Sequence, residues 1–134
     1  MTRRASLSKD MSPPRSDCPI ACTLDLIGDR WTLLIVRDLF KGKHRFSEFL
    51  GSDEGIKTNI LTDRLKRLER SGLVKRSRYQ EHPPRYEYHL TAEGRSLSPV
   101  VKAIFAWGRA HLPSTSRVGS QESGVRRQHR KVSL

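Results

Sequence analysis

The sequence predicts a mainly α-helical domain with one small β-hairpin (an α+β arrangement), and three features carry that reading. Between Leu61 and Val74, the residues Leu61, Leu65 and Leu68 recur at i, i+4 and i+7 and line one side of a helix. Between Tyr86 and Leu90, the apolar Tyr86, Tyr88 and Leu90 alternate with Glu87 and His89, the period of a strand. Upstream of residue 58, shorter helical stripes are each closed by a glycine. The 134 residues suffice for one domain with its own core.

The elements follow in order. Pro19 suits a first helical position, and Ile20, Leu24 and Ile27 give a stripe that ends at Gly28. Asp29 is placed to cap a second helix whose buried face is Trp31, Leu34, Ile35 and Leu39, closed by Gly42. Ser47 is the expected cap of a short third helix containing Phe49 and Leu50, closed by Gly51. A turn over residues 51–55 leads to Thr58, the expected cap of the helix that runs to Gly72. Two strands are expected at 73–80 and 86–90. The connector 81–85 contains Pro83 and Pro84, which cannot continue a ladder, and so reads as a hairpin tip. Thr91 then caps a long helix with Glu93 in its first turn and Leu97, Val100, Val101, Ile104, Phe105 and Leu112 at helical spacing up to Pro113. At about 1.5 Å per residue it is roughly 30 Å long, and its surplus apolar face argues for a partner subunit. Residues 1–16 and 113–134 are rich in Arg, Ser, Gly and Pro or Gln and read as disordered basic tails around a domain at 17–112.

Charge narrows the partner. Lys and Arg number 26 against 14 Asp and Glu, a net +12. Residues 57–85 hold nine of those cations and three of the acids, so half of the excess, +6, falls in one short segment. Such concentration points to a polyanion, nucleic acid above all. The longest apolar run, Ala103–Trp107, is far short of a membrane span, and the polar start has no signal-peptide core. Two cysteines do not make a disulfide framework, so a reducing cytoplasm is the expected location. Five histidines without ligand spacing give no metal site, and no cofactor is expected. There is no nucleophile elbow, phosphate-binding glycine loop or paired-carboxylate motif, so catalysis is not expected.

A short helix with one apolar and one basic side, running into a hairpin, is the plan of a winged helix-turn-helix that reads double-stranded DNA. Its first residues, Lys57, Thr58, Asn59, Thr62 and Asp63, would face the major groove. Asn59 suits a bidentate contact to adenine and a threonine methyl suits thymine, whereas Thr58 and Asn59 can also serve as caps and turn formers. Asp63 either accepts from cytosine or orients Lys66 or Arg67. Lys66, Arg67 and Arg70 would meet phosphates or form a solvated face, and Arg64, at the core edge, either orients the helix or reaches DNA. Arg45 and Ser47, at the entry to the third helix, are candidates for backbone phosphate. Trp31 and Trp107 read as core or interface anchors.

The ordered series Cys18-Pro19, Leu26-Ile27-Gly28-Asp29-Arg30-Trp31-Thr32-Leu33-Leu34-Ile35, Arg45-Phe46-Ser47-Glu48-Phe49, Leu61-Thr62-Asp63-Arg64-Leu65, Pro83-Pro84-Arg85-Tyr86-Glu87-Tyr88 and Leu90-Thr91-Ala92-Glu93-Gly94 resembles the HxlR-type regulators, a winged-helix branch close to the MarR repressors. The resemblance covers roughly residues 17–112. It implies a homodimer built by the first and last helices, here through Ile20, Leu24, Val101, Ile104 and Phe105, on a pseudo-palindromic operator. It also implies that Arg85, supported by the paired prolines, contacts the minor groove or a phosphate.

Cys18 precedes Pro19 at a helix start, where the macrodipole favours a thiolate able to react with quinones or oxidants, as in several relatives. A small buried side chain at the dimer interface is the other reading. Cys22, one turn on, reads as structural and departs from the one-thiol pattern. The expected function is a dimeric sequence-specific transcription regulator, a repressor, switched by an oxidant, an electrophile or a small-molecule effector. The alternative is a nonspecific basic protein coating DNA or associated with RNA, which would have little use for Asn59 and Thr62. A thiol enzyme would need a base near Cys18 that the sequence does not supply.

Overall fold

The computed structural model describes residues 16–113, so the tails expected at 1–16 and 113–134 lie, apart from Ser16 and Pro113, outside the described residues. The chain divides into two units after Leu97. The first contains α1 (Pro19–Ile27), α2 (Thr32–Phe40), α3 (Phe46–Leu50), α4 (Thr58–Arg70), β1 (Val74–Gln80), β2 (Arg85–Leu90) and α5 (Ala92–Arg95); the second contains α6 (Ser98–His111). The fold is mostly helical with a two-stranded antiparallel hairpin, as expected.

Helix α4 is the centre of the first unit. Its Leu61, Leu65 and Leu68 are buried and belong to a core that also holds Ile35, Val36, Leu39, Phe49, Ile56, Leu73 and Val74. Full burial of a leucine stabilises the fold by roughly 1.5–3 kcal/mol, so the α4 stripe is a major part of what seats this helix. Its end is a Schellman motif. Leu73 N–H donates to Leu68 O at 3.0 Å and Gly72 N–H to Glu69 O at 3.1 Å, with Gly72 at φ 86°. A side chain at 72 would be strained in that left-handed conformation, and without the turn α4 could not run straight into the hairpin.

The hairpin pairs Val74 with Leu90 and Arg78 with Tyr86, then shifts register so that Gln80 meets Arg85. Strand β2 therefore begins at Arg85, one residue before the strand expected at 86–90, and Arg85 is not part of the tip. A short third partner joins it: Tyr88 N–H donates to His44 O at 2.8 Å, and Arg45 bridges Glu87. The wing is thus fastened to the entry of α3.

Four expectations need correction. The single long helix after Thr91 is two helices, with α6 only 14 residues, about 21 Å, long. Pro99 accounts for the break: inside a helix it would lose a hydrogen bond to Arg95 and collide with that carbonyl, so α6 starts afresh around it. Thr91 does cap α5, its hydroxyl accepting Gly94 N–H at 3.1 Å. Gly94 itself lies so close to Leu73 that an added Cβ would fall 2.0 Å from the Leu73 carbonyl oxygen.

Ser47 is not the cap of α3. Arg45 holds that position, and Glu48 reaches back to accept N–H bonds from His44 (2.7 Å) and Arg45 (3.0 Å). Thr58 is not the cap of α4 either; Lys57 is, and Thr58 is the first helical residue. In α2 the buried side chains are Thr32, Ile35, Val36, Asp38 and Leu39, while Trp31 and Leu34 are half-buried. The i, i+3 stripe expected from Trp31 is rotated by about one residue.

Candidate nucleic-acid interface

The start of α4 is open to solvent. Lys57, Thr58, Asn59, Thr62 and Asp63 are all exposed, and so are Lys66 and Arg70 farther along; Arg67 is half-buried. Among the described residues, the side chains of Lys57, Asn59, Lys66, Arg67 and Arg70 make no hydrogen bond or ion pair. Their donors and acceptors are available for an external partner. Thr62 is partly engaged, its hydroxyl donating to Thr58 O at 2.9 Å, which leaves its methyl and remaining lone pair outward. The Thr58 hydroxyl is not used in capping, contrary to one of the readings above. The polar opening and basic continuation of the helix therefore lie on one exposed side, opposite Leu61, Leu65 and Leu68.

Two clamps hold that side in place. Asp29, in the turn between α1 and α2, accepts the Arg64 Nε–H at 2.8 Å together with the N–H groups of Trp31 (3.0 Å) and Thr32 (3.1 Å) and the Thr32 hydroxyl. Burial raises the Asp29 pKa, but these hydrogen bonds outweigh it and hold the carboxyl far below the ordinary range. Arg64 also donates to Asp63 at 2.6 Å, so Asp63 pairs with Arg64 and not with Lys66 or Arg67, which it was expected to orient. The second clamp fixes the loop before α4. Arg37 forks onto Glu54 at 2.9 and 2.8 Å, and onto the buried Asp38, which also accepts the Ser52 hydroxyl at 2.5 Å. The Arg37 guanidinium pulls the Glu54 carboxyl down to about 2. Neither Arg37, Asp38 nor Glu54 stood out in the sequence. The only signal was a lone acid, Asp38, on an otherwise apolar helix face.

On the wing, Arg85 is exposed and has no side-chain partner among the described residues. Arg45 is already engaged: its guanidinium bonds Glu87 at 3.2 Å and lies 3.9 Å from the centre of the Tyr79 ring. Ser47 sits in the first turn of α3 and is exposed. Arg76, which no motif in the sequence singles out, lies 4.2 Å from the Tyr86 ring centre and 3.5 Å from the Glu69 carboxylate. It ties the wing to the end of α4.

At the start of α1, Cys18 occupies the N-cap and is exposed, its N–H donating to Ser16 Oγ at 3.0 Å. Cys22 is half-buried, and its thiol donates to Ser16 O at 3.1 Å. The buried reading of Cys18 therefore does not describe the single chain. Ile20 and Leu24 on α1 are 70% and 56% exposed, and Ile104 and Phe105 on α6 are 55% and 64% exposed. Val101 is half-buried, whereas Trp107 is exposed and stacks on His111, so it is no core anchor within one chain. Among the described residues no His, Cys, Asp and Glu cluster could hold a metal ion, and no helix is long and apolar enough to cross a membrane.

Comparison with known proteins places these features in context. Residues 26–116 match the family model of the HxlR-like helix-turn-helix. An uncharacterized HTH-type transcriptional regulator of Synechocystis, sll1512, is 42% identical over 99 residues, 74% of this chain and 73% of that one. YybR of Bacillus subtilis, another such regulator, is 38% identical over 79% of this chain and 85% of its own. Among solved structures, the redox regulator HypR in its oxidized form superposes with a TM-score of 0.66 at 38% identity, covering 72% of this chain and 100% of HypR.

Proposed function

Since this chain belongs to the HxlR-like helix-turn-helix family and is a DNA-binding transcriptional regulator, we propose that it acts as a homodimeric repressor on a pseudo-palindromic operator. The observation that carries the reading is the start of α4, where Lys57, Asn59 and Thr62 stand exposed on a helix that Asp29 and Arg64 fix to the rest of the fold. Side chains so placed read base edges in the major groove, and Lys66, Arg67 and Arg70 behind them meet phosphates. Arg85 at the wing extends the contact to the neighbouring groove.

A second copy covers the apolar side chains that α1 and α6 each leave in solvent. It sets two reading helices about one DNA turn, some 34–36 Å, apart. The switch is the exposed Cys18 at the start of α1, supported by its N-cap position and by the description of HypR as a redox regulator.

Footprinting the DNA upstream of the protein's own and neighbouring genes tests the reading. A protected, inverted-repeat site of about two half-sites is expected. Uniform coating without a preferred site would favour the nonspecific basic binder instead.

A further inference from the structure

Between α3 and the wing lies a half-open cleft of about 340 Å³, within the range of small-ligand sites. Its walls are unusual for a chain with 7% aromatic residues. Phe46, Tyr79, Tyr86 and Tyr88 are among its lining residues, and so are two arginines, Arg45 from the entry of α3 and Arg85 from the wing. No carboxylate is among the lining side chains. We propose that this cleft binds a small planar aromatic oxyanion, an aryl carboxylate or aryl phosphate, with the ring laid against the tyrosines and the charge met by the arginines.

Three observations point to that ligand class. Arg45 is already held rigid, bonded to Glu87 at 3.2 Å and lying 3.9 Å from the Tyr79 ring centre, so a ligand would not have to immobilise it. Glu87 offsets part of the Arg45 charge, whereas Arg85 has no partner among the described residues and is the group free to take a bidentate oxyanion. Arg45 takes one face of Tyr79 and Arg76 one face of Tyr86, so a ligand ring meets the aromatic surface that remains in the cleft, Phe46 and Tyr88 included, which favours a flat anion over an aliphatic one. A consequence rests on the proposed function: Arg45 and Arg85 are also candidate DNA contacts, so an occupied cleft competes with the operator.

The test separates the two claims. The free, full-length protein, labelled with ¹⁵N, is titrated with 4-hydroxybenzoate, with phenyl phosphate and with neutral 4-hydroxybenzamide. Binding at submillimolar concentration by either anion is expected, with shifts gathered at residues 45–50 and 79–88 and α1 unmoved. The anion that binds more tightly identifies carboxylate or phosphate as the natural charge. Arg85→Gln, an exposed change that leaves the core intact, should weaken that anion about tenfold. Tyr79→Leu should weaken it comparably. No shift at millimolar anion, equal shifts from the neutral amide, or an unaltered affinity in Arg85→Gln would overturn the proposal. Competition is then read by gel shift: anion binding without release of operator DNA would leave the ligand site standing and remove Arg45 and Arg85 from the DNA contacts.

Discussion

The Asp29 carboxylate accepts the Arg64 Nε–H at 2.8 Å across 35 residues of chain, joining the turn after α1 to the middle of α4. The same carboxylate caps the start of α2 through Trp31 and Thr32. One side chain thus ties the start of α2 to the middle of α4. Both partners are mostly sheltered, with about a fifth of each side chain exposed, so the pair is less screened than a surface ion pair.

Asp29→Ala removes a cap and leaves Arg64 without its anchor. A loss of about 2 kcal/mol in urea unfolding is expected. Arg64→Ala should cost less, and the double variant should show a coupling of about 1 kcal/mol. Operator affinity of Arg64→Lys is the more telling readout, because lysine keeps the charge and loses the planar fork. Full affinity in Arg64→Lys together with additive stabilities would mean that the pair does not orient the reading helix.

Much of this frame was legible in the residues. The leucine stripe of α4, its Gly72 stop and the Thr91 cap each follow from local rules, and the structure has them where the spacing put them. What escaped depends on partners distant in sequence. The spacing of Asp29 suggests a cap but not a tie to Arg64, and Arg37 gives no sign that Glu54 will meet it. Ser47 and Thr58 were mistaken for caps because hydroxyls usually win that position; here Glu48 closes α3 from inside, and Lys57 takes the turn before α4. Pro99 stands in the sequence as a helix breaker, but the apolar spacing of Leu97, Val100, Val101 and Ile104 runs straight across it and reads as one helix. The four-ringed cleft was not visible at all, since it needs residues 45–47 brought beside the hairpin.

Reading and phosphate contacts are expected to separate by mutation. Asn59→Ala should weaken operator binding by roughly 1–3 kcal/mol and leave nonspecific DNA nearly unchanged. Lys66→Ala should weaken both and reduce the slope of affinity against salt by about one. Gel-shift titrations at several salt concentrations measure this. An unaltered ratio of specific to nonspecific affinity in Asn59→Ala would remove it from base reading.

Acid should loosen the clamp before α4. The Glu54 carboxyl stands at about 2 in the fold against an ordinary 4.5. A depressed folded value means that the stabilisation is whole above the unfolded value and is lost as pH falls from 4.5 towards 2. Asp29, also depressed, adds in the same direction. Glu54→Gln should therefore be less stable than wild type near neutrality and close to it at the acid end. Melting curves of both proteins over that window would show the gap narrowing; a constant gap would place the Arg37–Glu54 energy elsewhere.

The exposed faces of α1 and α6 predict association. Ile104→Asp would bury an uncompensated charge in the proposed dimer and should yield monomer. Sedimentation of the wild type at micromolar concentration is the direct check, and a stable monomer there would sink both the dimer and the palindromic operator. Lys102→Glu, on the same helix and exposed, serves as a control that changes charge without removing an apolar side chain.

The proposed switch rests on a difference between the surroundings of the two thiols. Cys18 stands exposed at the N-cap of α1, while Cys22 is half-buried with its thiol bonded to Ser16 O. Attack of the Cys18 sulfur on a quinone ring carbon, or on diamide with its S–N bond forming as the thiol proton passes to the second nitrogen, would add bulk at the helix start that the proposed dimer shares. A small rotation of α1 then misaligns half-sites one turn apart. The coupling required is modest, since a tenfold loss of operator affinity is about 1.4 kcal/mol. Cys18→Ser should bind operator normally and fail to release it with diamide or quinone, whereas Cys22→Ser should keep both properties. Iodoacetamide should label Cys18 well before Cys22, and labelling followed by gel shift ties reactivity to release. Release that persists undiminished in Cys18→Ser would transfer the switch to a noncovalent ligand, for which the cleft between Arg45 and Arg85 is the first place to look.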